Sequence, residues 1–323
     1  MTITRRGILG AATVPALLAL PRAARAQAWP DRPVRVIVPY APGGGTDVTT
    51  RAIGELLSHT LGQNFVVENR AGANGVVGTE AVARAAPDGY TFVAATSTHI
   101  MNRQIVPRLA YHPVNDFTPV ALLARYPLVL VTGPGSEFAS VADLIRAAKA
   151  RPGTIAQATA DAQTSFTANN LAKRAGVEMV EVPYRGSGAY LADLTGGHIP
   201  VAWASTATVM PLRAAGTVKV LAISAPQRSR FLPDVPTLRE SGVEGADFIG
   251  WFGLFGPARL PPAVASRLND AINAAFGEAV MKQRLDSLAV DAAPMGLDAL
   301  AELMRQEDAR WELAARENLL PRG

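Results

Sequence analysis

Residues 36–47 read VIVPYAPGGGTD. A β-branched apolar run ends in Pro39 and Tyr40, three glycines follow, and Thr46 and Asp47 open a stretch with helical spacing. The short apolar run bounded by turn residues predicts a buried strand. Beyond the glycines, Ile53, Leu56, Leu57 and Leu61 recur at helical spacing, and Gly62 supplies a stop. The unit is therefore strand, glycine-rich turn, helix. Three consecutive glycines weaken regular structure, so they imply tight backbone angles or a close approach of the backbone to something else. The first amides of a helix have no intrahelical partner, and the helix dipole favours negative charge there, which makes this turn suited to an anion. Asp47 suits a capping role that stiffens the loop and leaves the amides of Gly44, Gly45 and Thr46 free.

The same alternation runs outward along the chain. Strands are predicted at 34–40, 64–68, 91–96, 119–125, 127–132, 154–159, 179–184, 199–204, 218–224 and 251–256. Helical patterns lie between them, including 140–150 with a Ser140/Asp143 capping pattern, 261–278 and 297–317. Strand–helix alternation indicates an α/β fold with largely parallel sheets. Residues 27–125 form a first lobe, 126–228 a second, and 229–323 return to the first lobe and end in helices, with crossings near 119–132 and 248–256. VPYAPGGGTD at 38–47 is echoed by VPYRGSGAYLADL at 182–194, one in each proposed lobe. Facing each other, two helix N-termini would grip one anion from both sides. Pro and Gly commonly end strands, so coincidence accounts for the echo equally well.

The N-terminus carries Arg5 and Arg6, a short apolar stretch from Ile8 to Leu20, and Ala24-Arg25-Ala26, the pattern of a cleaved secretory signal. TRRGIL also resembles a twin-arginine export signal; an ordinary secretion signal stays open. Removing these 26 of 323 residues leaves 297, enough for two domains. The segment holds four arginines and no acid, so the 31 basic residues fall to 27 and balance the 27 acidic ones. The pI near 9.6 thus stems largely from the signal and gives no argument for nucleic acid. With no cysteine, disulfides, thiolate nucleophiles and Cys-ligated metals are excluded. No later apolar run reaches the length of a membrane span.

Motifs for nucleotides and catalysis fail. GGGTDV at 43–48 is neither a dinucleotide fingerprint nor a P-loop, and there is no nucleophile elbow and no HExxH. The four histidines (His59, His99, His112 and His198) lack metal-ligand spacing, and only His99, just after a strand, suggests a cleft position. Arg185 follows Tyr184 at the mouth of the second turn, where a guanidinium suits a carboxylate; a surface pairing with Glu181 or Asp193 is the blander reading. No metal and no cofactor are expected.

Taken in order, PDRPVRVIVPYAPGGGTD, VVENRAGANGVVGTEAVARAAPDGYTF, THIMN, DFTPVALLA, EVPYRGSGAYLADLTGGHI, RSRFLPDVPTLRESG and WFGLFGPARLPP resemble the solute receptors of tripartite tricarboxylate transporters, also called Bug receptors. The resemblance implies a type II periplasmic binding fold, two α/β lobes closing on a small carboxylate: a di- or tricarboxylate, an amino acid or an aromatic acid. It implies a monomer that serves a membrane transporter or a sensor. It also implies ligand contacts at Tyr40, Gly44, Gly45, Thr46 and Asp47 in the first loop, Thr98 and Asn102 in THIMN, and Tyr184, Arg185, Gly186 and Ser187 in the second lobe.

Two departures stand out. The family's Gly/Ser-rich loop ending in His-Leu is TADAQTSFTANN here, leaving Thr164 and Ser165 as donors, and an Asp common after the strand at 199–204 is Ser205 here. An exported hydrolase or isomerase on the same fold is the alternative, and a structural protein with an empty cleft is a third.

Overall fold

The computed structural model describes residues 29–316 and residue 320. The expected signal segment, 1–26, lies outside the described residues. β1 (Val34–Val38) runs parallel between β2 (Phe65–Asn69) and β3 (Thr91–Thr96). Parallel neighbours require crossovers, and these are α1 (Gly45–Leu61) and α2 (Val76–Ala83). Every β1 residue except Arg35 is buried, as expected of a strand covered on both faces. α3 (Thr98–Ile105) follows β3.

β4 (Phe117–Thr132) is a single strand of 16 residues that serves both lobes. The sequence reading divides it into 119–125 and 127–132. Pro127 explains the difference: it has no N–H for a ladder, yet it stands where the strand changes partners. Residues Phe117 to Pro127 pair antiparallel with β9 (Ile249–Pro257), and Leu128 to Thr132 pair with β7 (Val201–Ser205) and β8 (Lys219–Ile223). α4 (Val141–Ala150) then leads to β5 (Ala156–Thr159), which is parallel to β6 (Val180–Pro183) and β7. α5 (Ala162–Ala175), α6 (Ser187–Thr195) and α7 (Thr206–Ala214) connect these strands. The result is one curled nine-stranded sheet, ordered β2-β1-β3-β9-β4-β7-β5-β6 with β8 on β4.

Period-two alternation distributes β4 and β7 between two cores. Leu128, Leu130, Val201 and Trp203 enter the large core that continues through the first lobe. Val129, Val131, Ala202 and Ala204 face a second core beneath α6. Leu232 and Val235 also sit in that second core, and Leu238 N–H donates to the Ile223 carbonyl at 3.0 Å, so the chain still lies against β8 in the second lobe there. It reaches β9 only after Phe248, whose N–H donates to the Ser224 carbonyl at 2.7 Å. α8 (Pro262–Ala275), α9 (Ala279–Ser287) and α10 (Leu297–Arg316) cover the first lobe. Trp311 of α10 is buried edge-on against Phe166 of α5, tying the last helix to the second lobe. No helix of the described residues is long and apolar enough to cross a membrane.

Candidate functional site

Residues at or just beyond the carboxyl ends of β1, β3, β5, β6 and β7 (Tyr40, Thr96, Asp161, Gly186 and Ser205) line one cleft, where α/β sheets place their ligands. At the end of β1 the chain turns through Gly43, with φ +79°, into α1. Gly44 caps this helix without any side-chain hydrogen bond. Among the described residues no protein acceptor meets the amides of Gly44, Gly45 or Thr46. Asp47 stands three positions into α1 and reaches back: one oxygen accepts from the Gly43 amide at 2.9 Å, the other from Arg51 Nε at 2.9 Å and Asn69 Nδ2 at 3.0 Å. It fastens the loop and is itself buried.

The second VPY turn lies directly opposite. Ala41 N–H donates to the Arg185 carbonyl at 3.2 Å, joining the two turns through main chain. Gly186 has φ +128°, which favours glycine, and a Cβ on it would lie 2.8 Å from Ala41 N. A Cβ on Gly188 would lie 2.2 Å from the Pro42 carbonyl oxygen. A Cβ on Gly44 would stand 4.0 Å from the nitrogens of both Ser187 and Gly188, so the N-termini of α1 and α6 face each other at close range. Gly186 and Gly188 of the second turn thus permit a backbone-to-backbone approach to the first.

Between these termini lies a cavity of ≈ 20 Å³, lined by Tyr40, Gly44, Gly45, Thr46, Gly186, Ser187 and Ser205 together with Thr96, Tyr126, Asp161, Gln163 and Phe252. Asp161 N-caps α5 through the Thr164 amide at 3.1 Å. It also bridges the lobes, accepting from Thr96 Oγ1 at 3.3 Å, and Ser97 Oγ donates to Gln163 Oε1 at 2.8 Å alongside. Burial pushes the Asp161 carboxyl above its ordinary value. Burial likewise pushes the Tyr40 and Tyr126 phenols far up, which keeps both neutral hydrogen-bonding groups. Tyr40 shares a hydrogen bond with Thr96 at 3.0 Å, and Tyr126 accepts from Gln163 Nε2 at 2.7 Å. A wider cavity of ≈ 320 Å³ adjoins Asp161 and is lined by Ser165, Glu181 and Tyr184 among others.

The remaining expected residues sit differently. Thr98 and Asn102 are buried and line neither cavity; Thr98 Oγ1 accepts from Gln163 N at 3.3 Å, and Asn102 Nδ2 donates to the Asn74 carbonyl at 3.0 Å. Thr164 does line the small cavity, but its hydroxyl is consumed inside its capping box with Asp161. The Ser165 hydroxyl donates to Glu181, and Tyr184 donates to Asp193 at 2.6 Å. Arg185 is exposed and lines neither cavity; only its carbonyl takes part. Thr96, Tyr126, Asp161, Gln163 and Phe252 are absent from the sequence-based set. Thr96 and Asp161 each sit at the carboxyl end of a predicted strand, and that position is the signal that would have found them.

His99 turns away from the cleft into an aromatic nest of Phe117, Phe255 and Tyr111, with its Nε2 2.9 Å from the Pro113 carbonyl. Among the described residues no three His, Asp or Glu side chains are grouped to hold a metal ion.

Residues 49–318 match the family described as "Tripartite tricarboxylate transporter family receptor". A protein from the tcbD-tcbE intergenic region of Pseudomonas sp. strain P51 is 35% identical over 313 residues, covering 96% of this chain and 93% of that one. Among solved structures, the R. palustris protein Rpa4515 with adipate superposes with a TM-score of 0.87 at 32% identity, covering 91% of this chain and 100% of that one. MatC from Rhodopseudomonas palustris with bound malate gives a TM-score of 0.83 at 32% identity, covering 89% and 100%. The two lobes therefore form a type II-like periplasmic binding fold. The chain belongs to the tripartite tricarboxylate transporter receptor family, whose members are periplasmic receptors.

Proposed function

We propose that this chain is an exported, monomeric receptor that grips a small carboxylate between its lobes and presents it to a membrane transporter. The lobes divide at Pro127/Leu128 and again at Phe248/Ile249. The observation that carries the reading is the meeting of the two VPY turns, with the Ala41 amide on the Arg185 carbonyl and the N-termini of α1 and α6 face to face. Paired helix N-termini offer a carboxylate several N–H donors and a favourable dipole from both lobes at once. Donors from the second lobe reach the ligand only when the lobes meet, so the ligand favours the closed arrangement through contacts the open one lacks. The malate and adipate held by two family structures support this ligand class. His99 gives no support to a hydrolase or isomerase reading, because it faces the aromatic core.

A thermal-shift screen of organic acids tests the reading, since a ligand that binds only the folded state raises the melting temperature. The best acid is expected to shrink the radius of gyration in small-angle scattering. Its amide analogue, which loses charge-assisted hydrogen bonds of about 1.5–3 kcal/mol each, is expected to do neither. A tight acid that leaves the radius unchanged, or an amide that binds equally well, would defeat the clamp. Export is tested by mass spectrometry of protein recovered from the periplasm, which is expected to begin at or near Gln27; an intact Met1 would refute cleavage.

A further inference from the structure

A receptor for plain carboxylates should present cations or neutral donors to its ligand. This cleft presents Asp161, which is only 8% exposed and has no salt-bridge partner among the described residues. The adjoining cavity adds Glu181, which accepts hydroxyl and amide donors from Thr159, Ser165 and Asn169 and likewise pairs with no cation. Neither cavity has an Arg, Lys or His in its lining.

The two oxygens of Asp161 are unequally held. Oδ1 takes the Thr164 amide at 3.1 Å and the Thr164 hydroxyl at 2.9 Å, completing the helix cap. Oδ2 is held by longer bonds, from Gln163 Nε2 at 3.2 Å and Thr96 Oγ1 at 3.3 Å, both from residues that line the small cavity, and the Thr98 hydroxyl also stands by the carboxyl. Hydrogen bonds from an ammonium to a carboxylate settle at about 2.7–2.9 Å, so Oδ2 has acceptor capacity that these neutral donors leave poorly used. The raised pKa of the group has burial as its leading cause, the direction expected where no nearby cation offsets desolvation. A buried carboxylate facing an incoming ligand disfavours a second carboxylate at that end and favours a positive nitrogen.

We infer that Asp161 selects a ligand bearing both a carboxylate and an ammonium group, with the carboxylate on the α1 and α6 termini and the ammonium on Asp161 Oδ2. This rests on the carboxylate-receptor reading and narrows its ligand class from carboxylates in general to amino acids in the broad sense. The competing explanation is that Asp161 merely caps α5. Asparagine caps a helix about as well as aspartate, so Asp161→Asn keeps the cap and removes the charge.

The test uses matched sets of acids on the mature chain by calorimetry. They are alanine, propionate and malonate; 4-aminobutyrate, butyrate and succinate; and 4-(aminomethyl)benzoate, 4-methylbenzoate and terephthalate. In at least one set the amino member is expected to bind about tenfold or more tighter than both companions, the range of one charge-assisted hydrogen bond. In Asp161→Asn that ratio is expected to collapse to near unity, while the amine-free acid binds as well as or better than before. The wild-type ratios need no variant and stand even if the variant folds poorly. A preference for the dicarboxylate, or an unchanged ratio in Asp161→Asn, overturns the inference and leaves the receptor reading intact. Binding of none of the nine acids overturns both.

Discussion

Gly188→Ala is expected to abolish tight ligand binding while leaving the protein folded. Its Cβ would stand 2.2 Å from the Pro42 carbonyl oxygen, a distance that real Cβ atoms do not tolerate and that no side-chain rotation relieves. The obstructing atom is backbone of the first lobe, and Gly188 belongs to α6 of the second. The clash therefore exists only when the lobes meet. Each lobe keeps its core, because no residue of either hydrophobic cluster has to move. Separating the turns withdraws the α6 amides from a carboxylate bound at α1. Two such hydrogen bonds at about 1.5 kcal/mol or more each correspond to a loss of about 100-fold in affinity. Gly135→Ala is the control: it also lies in the second lobe, but nothing stands within 4 Å of its added Cβ, and its affinity is expected to match the wild type. Calorimetry on both variants, with urea unfolding to verify their cores, decides the matter. Wild-type affinity in Gly188→Ala would show that ligand does not need the turns in contact.

Gly45 is the corresponding position in the first turn, with a smaller expected effect. Its Cβ would meet Ser205 Oγ at 2.0 Å and Phe252 Cζ at 2.9 Å. A serine hydroxyl can rotate away, so part of that clash relaxes, unlike the backbone collision at Gly188.

The contrast between these glycines illustrates what the sequence conveys. Strand, turn and helix could be read at both VPY stretches because proline, glycine and apolar periodicity act locally. Which glycine touches which atom depends on how two segments 144 residues apart in the chain come together, and no local pattern encodes that. β4 reads as two strands for the same reason: Pro127 is a local stop signal, whereas the continuous strand is held by β9 on one side of it and by β7 and β8 on the other. Arg185 is a cation beside a glycine-rich turn, yet its side chain is exposed and only its carbonyl acts. Asp161 shows the converse. The segment TADAQTSFTANN lacks the glycine and histidine of the pattern it resembles, and its one carboxylate gains its place in the cleft only through Thr96 and Gln163, which no local pattern encodes.

His99 gives the last expected result, a loss of stability in mild acid. Its side chain is 1% exposed, and the ring centroids of Phe117 and Phe255 both lie 4.8 Å away. Its Nε2–H donates to the Pro113 carbonyl at 2.9 Å, while Nδ1 has no partner in the described residues, an arrangement suited to the neutral imidazole. Burial lowers its pKa from 6.5 to about 4. Between those two values the unfolded chain binds a proton that the folded chain refuses. The folded state is therefore fully favoured above pH 6.5 and loses ground as the pH falls towards 4. By pH 4.5 the deficit amounts to about 2–3 kcal/mol, a substantial share of the stability of an ordinary domain. Asp161 works in the opposite sense, since its raised pKa makes the folded state the better proton binder just above its unfolded value. The His99 contribution is therefore isolated as a difference between wild type and His99→Gln, which keeps a donor near Pro113 and cannot titrate. Urea unfolding at pH 7.5 and 4.5 is expected to show the wild type losing about 2–3 kcal/mol more than the variant over that interval. Equal losses would mean that His99 takes up its proton in the folded state. The consequence reaches the binding site through α3: protonating His99 would unseat the helix whose first residues, beside Thr96 and Ser97, hold Asp161 and Gln163 across the cleft.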